Sequence, residues 1–309
     1  MSSTPQTQGS SVLLVLGLPQ AGSARVARML EQCGAPEHTA QLAQQQQQLL
    51  QDLGSGWDSS LNLPDRCFGS TAATAFEQAI AQALATDESL RLSQACLPGL
   101  ERVLPIWHRA LTAQGLDPRH VLVLRHPLEV AEQFRASHGW SRDHGLLVWL
   151  QSSLAMERHS RDHQRVVLDL EQVRWDADGA LNRLEGRLQL ALPERHHRSL
   201  LELEAAELPE QAPAPAGLTA LGDADTSPLL QMALRLHGWL LAEAQQAERE
   251  AHLPAAIQQQ LEMAETLMGR TLSEVTARSE ELNQQVDALQ RRRLVRLSEW
   301  LRGRARRAA

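Results

Sequence analysis

Val12-Leu-Leu-Val-Leu16 runs straight into Gly17-Leu-Pro-Gln-Ala-Gly22-Ser23, and the stretch from Ala24 to Cys33 follows. The first piece is a short continuous apolar run, the pattern of a strand buried on both faces. The second is a turn-rich glycine loop. The third carries Val26, Ala27, Met29 and Leu30 on one side and stops at Gly34-Ala-Pro36, which reads as a helix. Strand, glycine loop and helix in this order open an α/β domain.

Working outward, the same alternation continues. Leu90–Cys96, Val121–Leu124 and Val166–Leu168 read as further strands. Asp117-Pro-Arg before the second of these is turn-like. Helical spacing is expected over residues 40–53, whose Gln44–Gln48 run forms a solvated face, and over Thr71–Ala85, Leu100–Gln114 and Leu128–Ser137. Ser141 can cap a further apolar helix reaching about His159. The expected fold class is α/β, a P-loop-like central parallel sheet flanked by helices on both faces.

Pro209–Gly217 is a Pro/Ala stretch and the strongest boundary signal in the chain. The expected organisation is a disordered segment 1–10, an α/β domain 11–208, a linker 209–227 and a helical extension 228–309. Thr271-Leu-Ser-Glu274 is a capping box, and Leu272, Val275, Ser279, Leu282, Val286 and Leu289 keep heptad spacing. Residues 268–290 are therefore read as a short coiled coil for self-association, or as a helix folded back on the body. Residues 291–309 form a basic amphipathic tail.

The chain has 309 residues and a net charge of −7, and all 30 of its basic residues are Arg. With no Lys, neither Schiff-base chemistry nor a Walker-type phosphate lysine is available. Eight Arg against Glu299 give residues 291–309 a local charge of +7, so the other 290 residues sum to −14. So acidic a body excludes a specific nucleic-acid binder, while the tail suits an anionic membrane surface or an acidic partner. Three cysteines without CxxC spacing argue against a disulfide framework and fit a reducing cytoplasm. The polar, uncharged first eleven residues do not read as a signal peptide, and no apolar stretch approaches the ~18 residues that a bilayer demands.

Two motifs carry chemistry. In the first, backbone N–H groups of Gly17, Gln20, Ala21, Gly22, Ser23 and Ala24, at a helix N-terminus, suit an anion. In the second, Val121-Leu-Val-Leu-Arg125-His-Pro-Leu-Glu-Val-Ala131 sets Arg125 at the carboxyl end of a strand, where open α/β sheets bind ligands. Its guanidinium can grip a phosphate with two parallel hydrogen bonds, or pair with Glu129 or Glu132.

Both motifs together, about 100 residues apart, resemble the bacterial branch of the sulfotransferases that use 3′-phosphoadenosine-5′-phosphosulfate (PAPS). Leu53-Gly-Ser-Gly-Trp57-Asp58, Leu104-Pro-Ile-Trp107, Gly145-Leu-Leu-Val-Trp-Leu150 and Val166–Leu170 resemble further landmarks of that branch, in family order over residues 10–195. The resemblance implies that Gly22, Ser23 and the loop amides hold the 5′-phosphosulfate and that Arg125 holds the 3′-phosphate. It implies PAPS or 3′,5′-ADP as co-substrate, no metal, and a hydroxyl acceptor on a glycan or small molecule.

The chain departs from the family where charge matters. Gln20 replaces the loop's basic residue, Ala21 and Ala24 replace hydroxyl residues, and Cys96-Leu-Pro-Gly99 replaces K-D-P-R. Gln133 stands where a serine usually helps to hold the 3′-phosphate. A degenerate relative acting as a binding or assembly module through its coil is therefore the alternative. As general base, position offers His108 and Asp58 first, with Glu101 and Asp169 behind. His126 is expected to pack near the nucleotide. His159 and His163 share a helical i, i+4 spacing, but the surrounding arginines favour a solvated helix end over a metal pair.

Overall fold

The computed structural model describes residues 10–37, 39–84, 92–194 and 227–267. Four strands form one parallel sheet: β1 (Ser11–Leu16), β2 (Leu92–Ala95), β3 (Asp117–Leu124) and β4 (Arg165–Asp169), in the spatial order β2-β1-β3-β4. The described helices include α1 (Ser23–Gln32), α2 (Ala43–Asp52), α3 (Thr71–Leu84), α4 (Leu104–Ala113), α5 (Pro127–His138), α6 (Arg142–Ser160), α7 (Leu170–Trp175), α8 (Ala177–Leu188) and α9 (Pro228–Ala244).

Alternation along the strands divides the core. Leu13, Val15, Val121, Val123, Val166 and Leu168 share one buried cluster with Val26 and Leu30 of α1 and Leu181, Leu184 and Leu188 of α8. Leu14, Leu16, Leu122, Leu124 and Val167 point the other way, toward the face where α4 contacts β3 and α9 contacts β4. The expected parallel α/β sheet with flanking helices is thus what the chain forms. β3 starts earlier than the sequence suggested, because Pro118 pairs with Val12 near the start of the strand, a position where a missing N–H is tolerated.

The chain leaves β1 toward β2 on one side, then crosses to β3 on the other side and goes on to β4. The direction therefore reverses at β1, and the carboxyl ends of β1 and β3 flank the crevice where open sheets of this kind place their ligands.

The described residues up to Pro254 belong to one compact unit, and those from Ala255 onward to another. α9 belongs to the first. Leu230, Ala233, Leu236 and Leu240 are buried, and the helix contacts α6, β4 and α5. The α/β unit thus takes in the start of what the sequence assigned to the extension, because α9 has an apolar side that β4 and α6 cover. Within the second unit, residues 255–267 are helical. The segments expected to be linker, coiled coil and basic tail (209–226, 268–290 and 291–309) lie outside the described residues, as do residues 1–9. Among the described residues, no helix is long and apolar enough to cross a membrane, and Cys33, Cys67 and Cys96 are free thiols.

Candidate functional site: the crevice between β1 and β3

The loop after β1 is compact. Gly17 has φ +140, and a Cβ there would stand 2.8 Å from the Val123 oxygen, so only glycine lets the chain pass so close over β3. Pro19–Ala21 makes a 3-10 turn closed by Ala21 N–H donating to Leu18 O at 2.8 Å and Gly22 N–H donating to Pro19 O at 3.1 Å. Gly22 is left-handed at φ +86 and caps α1, and a Cβ there would meet Leu170 at 2.8 Å. The Gly22 carbonyl accepts from the N–H groups of Arg25 and Val26. Ala24, at the second position of the helix, has an amide that precedes this first helical hydrogen bond. Ser23 is buried, and its hydroxyl donates back to Leu18 O at 3.4 Å.

Arg125 follows β3 and reaches across the crevice onto this loop. Nη1 donates to Gln20 O at 3.0 Å and to Gln133 Oε1 at 2.7 Å, while Nε donates to Glu129 Oε2 at 2.9 Å. The Arg125 and Glu129 side chains are only 11% and 12% exposed, so water screens this ion pair weakly. Trp149 Nε1 donates to the Arg125 carbonyl at 3.2 Å and fixes the strand end from α6. The sequence-predicted Gly17, Gln20, Ala21, Gly22, Ser23, Ala24, Arg125 and Gln133 therefore converge on one crevice. Gln20 turns inward there, and its Oε1 is buried with no hydrogen-bond partner among the described residues.

The flanks of the crevice are also described. Cys96 follows β2 beside Ser23, and burial pushes its thiol up to about 12, with Glu37 and Glu101 adding and the Ser23 hydroxyl opposing. A thiol held protonated in this way is no nucleophile. Trp57 packs on Gly99 and stacks on Phe134 at 6.2 Å, next to Gln133, so Asp58 belongs to a segment at the carboxyl end of the sheet. Asp169 stands opposite Leu124 and caps α7 through Glu171 N–H at 3.2 Å. Burial raises its pKa. Glu101 is fully buried. It accepts from Ser152 Oγ at 2.7 Å, and burial raises its pKa too.

His108 stands elsewhere. Its Nε2 is 2.8 Å from Nε2 of His120, which pairs in register with Arg165 at the start of β4. His120 lies five residues before Arg125 on an extended strand, a separation of roughly 16 Å. His108 thus belongs to a histidine cluster with His120 and His163 near the start of β4, away from the crevice. His159 is packed as well as being helical, edge-on to Phe68 with centroids 5.7 Å apart. Among the described residues, no group of three or more His, Cys, Asp or Glu is arranged to hold a metal ion.

One pairing at the site was left open by the sequence, and one contact was not read in it. Glu129 was one of two acidic neighbours open to Arg125, and its i+4 position on α5 decides the pairing. His237 of α9 approaches His126 with ring centroids 5.2 Å apart and Trp149 at 6.0 Å. No local pattern announces a contact spanning more than a hundred residues.

No family model matches the chain, and no curated protein does. Among solved structures, the chain is similar to the sulfotransferase domain of the olefin synthase of Synechococcus PCC 7002, at 17% identity over 85% of this chain and 98% of that one, with a TM-score of 0.42. It is also similar to the sulfotransferase domain from the curacin biosynthetic pathway, at 16% identity over 78% of this chain and 99% of that one, with a TM-score of 0.42.

Proposed function

We propose that the chain is a sulfotransferase-type protein whose β1/β3 crevice binds PAPS and serves transfer of its sulfuryl group to a hydroxyl of a glycan or small-molecule acceptor. The observation that carries this reading is Arg125 Nη1 lying 3.0 Å from Gln20 O, which sets a guanidinium against the amide-lined loop at the switch point of the sheet. In this reading Arg125 turns to the 3′-phosphate, and the amides of Ser23 and Ala24 at the start of α1 face the 5′ end.

In the transfer, the acceptor oxygen bonds to sulfur as the bond from sulfur to the bridging phosphate oxygen breaks. The nucleotide leaves as 3′,5′-ADP, and the hydroxyl proton passes to a base. Asp58 is the base that best suits this role, since its segment lies at the crevice end of the sheet and His108 does not.

A second reading, a binding or assembly module without turnover, is favoured by two features of the same site. Gln20 puts no cation beside the bridging oxygen, and Glu129 neutralises Arg125. Losing one such donor costs about 2.7–4 kcal/mol of transition-state stabilisation. That module would use the heptad-spaced residues 268–290 for self-association and the Arg-rich residues 291–309 for an anionic membrane surface or an acidic partner. Labelled PAPS offered with pooled hydroxyl acceptors separates the two. Labelled product that disappears in Arg125→Ala supports the enzyme, and nucleotide binding without product supports the module.

A further inference from the structure

β4 is the last strand of the sheet, and a cavity of about 370 Å³ lies along its open edge. Val166 and Val167 both line it. Consecutive strand residues point to opposite faces, so the cavity runs along the strand's edge, where backbone groups have no neighbouring strand among the described residues. Arg165, Arg183, Arg187 and Arg249 also line it, with Glu243 as the one carboxylate among the described lining residues.

The charges are unequally satisfied. Glu243 accepts from Arg165 at 2.7 Å through both of its oxygens and is also paired with Arg249, whose guanidinium lies 4.2 Å from the centre of the Trp239 ring. Arg165 is further fixed by Glu157 O at 3.1 Å and Ser160 Oγ at 3.2 Å. Arg183 donates to the neutral Gln172 amide at 3.2 Å and its charge also acts on the Asp169 carboxylate, but neither it nor Arg187 has an ion pair within 4 Å among the described residues. The two stand at i, i+4 on α8, with no acidic residue three or four positions away from either. Like charges at that spacing oppose each other on the helix, and two more guanidiniums stand across the cavity.

We propose that this cavity is an anion site, separate from the β1/β3 crevice, for a small molecule bearing at least two neighbouring phosphate or carboxylate groups. Its volume falls within the range of small-molecule pockets, and two guanidinium forks on one helix face suit adjacent anionic groups. Arg165, which lines it, registers with His120, at the end of β4 away from the crevice.

Calorimetry on the full chain, with inorganic pyrophosphate and with citrate as probes, tests the site. At least one probe is expected to bind, and Arg183→Ala/Arg187→Ala is expected to weaken it about tenfold or more. Arg125→Ala is expected to leave it within about twofold, which keeps this site distinct from the crevice. Tighter pyrophosphate assigns a phosphate ligand, and tighter citrate assigns a polycarboxylate. If the double variant does not fold, Arg187→Gln on the exposed helix surface gives the same reading. Absence of heat from both probes up to about 1 mM, or unchanged affinity in the arginine variants, overturns the proposal.

Discussion

Arg125 is held by Glu129 on α5, with Nε 2.9 Å from Oε2, while its Nη1 is 3.0 Å from the main-chain oxygen of Gln20. One guanidinium thus ties the β1 loop to the helix after β3. The arginine is oriented toward the crevice, and its charge is already partly spent on a neighbouring carboxylate.

Glu129 therefore competes with any phosphate. Glu129→Gln keeps the shape and removes the charge, and it is expected to tighten 3′,5′-ADP binding by about tenfold. Calorimetry at constant salt checks this. Weaker binding in the variant would mean that Glu129 orients Arg125 rather than competing for it.

Gln20 occupies the place where the sulfotransferase resemblance expects a cation. Gln20→Lys is expected to raise product formation from labelled PAPS by about 10²-fold by stabilising the leaving oxygen. An unchanged rate, with binding intact, would place the missing catalytic element elsewhere.

Much of this was readable in the order of elements, because long apolar runs and glycine turns act locally. Val12–Leu16, Ala24–Cys33 and Val121–Leu124 gave β1, α1 and the core of β3 within a few residues, and Ser141 does cap α6, accepting from His144 N–H at 3.2 Å. That Arg125 shares a site with the β1 loop followed from the sulfotransferase resemblance of the two motifs taken together. Where His108 goes did not, because helical spacing alone does not fix which part of β3 the histidine of α4 meets, and it meets His120. The contacts of α9 were not legible for a similar reason. The Pro/Ala stretch before it marks a break in sequence, while Leu236 and Leu240 return the helix to β4 and α6.

Gly22 is bound by two constraints, a left-handed φ of +86 and Leu170 at 2.8 Å from a would-be Cβ. Gly54 has a similar φ of +69 and nothing within 4 Å. Gly22→Ala is expected to cost about 1–3 kcal/mol, and Gly54→Ala about 1 kcal/mol. Thermal melts compare the two, and equal losses would contradict the close approach of Leu170.

Stability should fall in mild acid. Burial lowers His108 and His120 from 6.5 to about 3, and His159 and His237 from 6.5 to about 4. The unfolded chain takes up these protons near pH 6.5 while the fold refuses them. The stabilisation is therefore complete above pH 6.5 and is lost progressively as pH falls toward 4. Glu101, raised by burial, acts oppositely, since the fold keeps a proton that the unfolded chain releases above 4.5. His237 has a buried Nε2 without a partner among the described residues, so His237→Leu is expected to raise the melting temperature more at pH 5 than at pH 7.5. Parallel shifts at the two pH values would contradict the assignment.

The most direct test of the crevice is calorimetric titration of the full chain with 3′,5′-ADP, with 5′-AMP as the ligand lacking the 3′-phosphate. The chain is expected to bind 3′,5′-ADP, to lose about tenfold or more in affinity in Arg125→Ala, and to discriminate against 5′-AMP by a similar factor. Equal affinity for the two nucleotides, or binding that survives Arg125→Ala unchanged, would contradict the central claim.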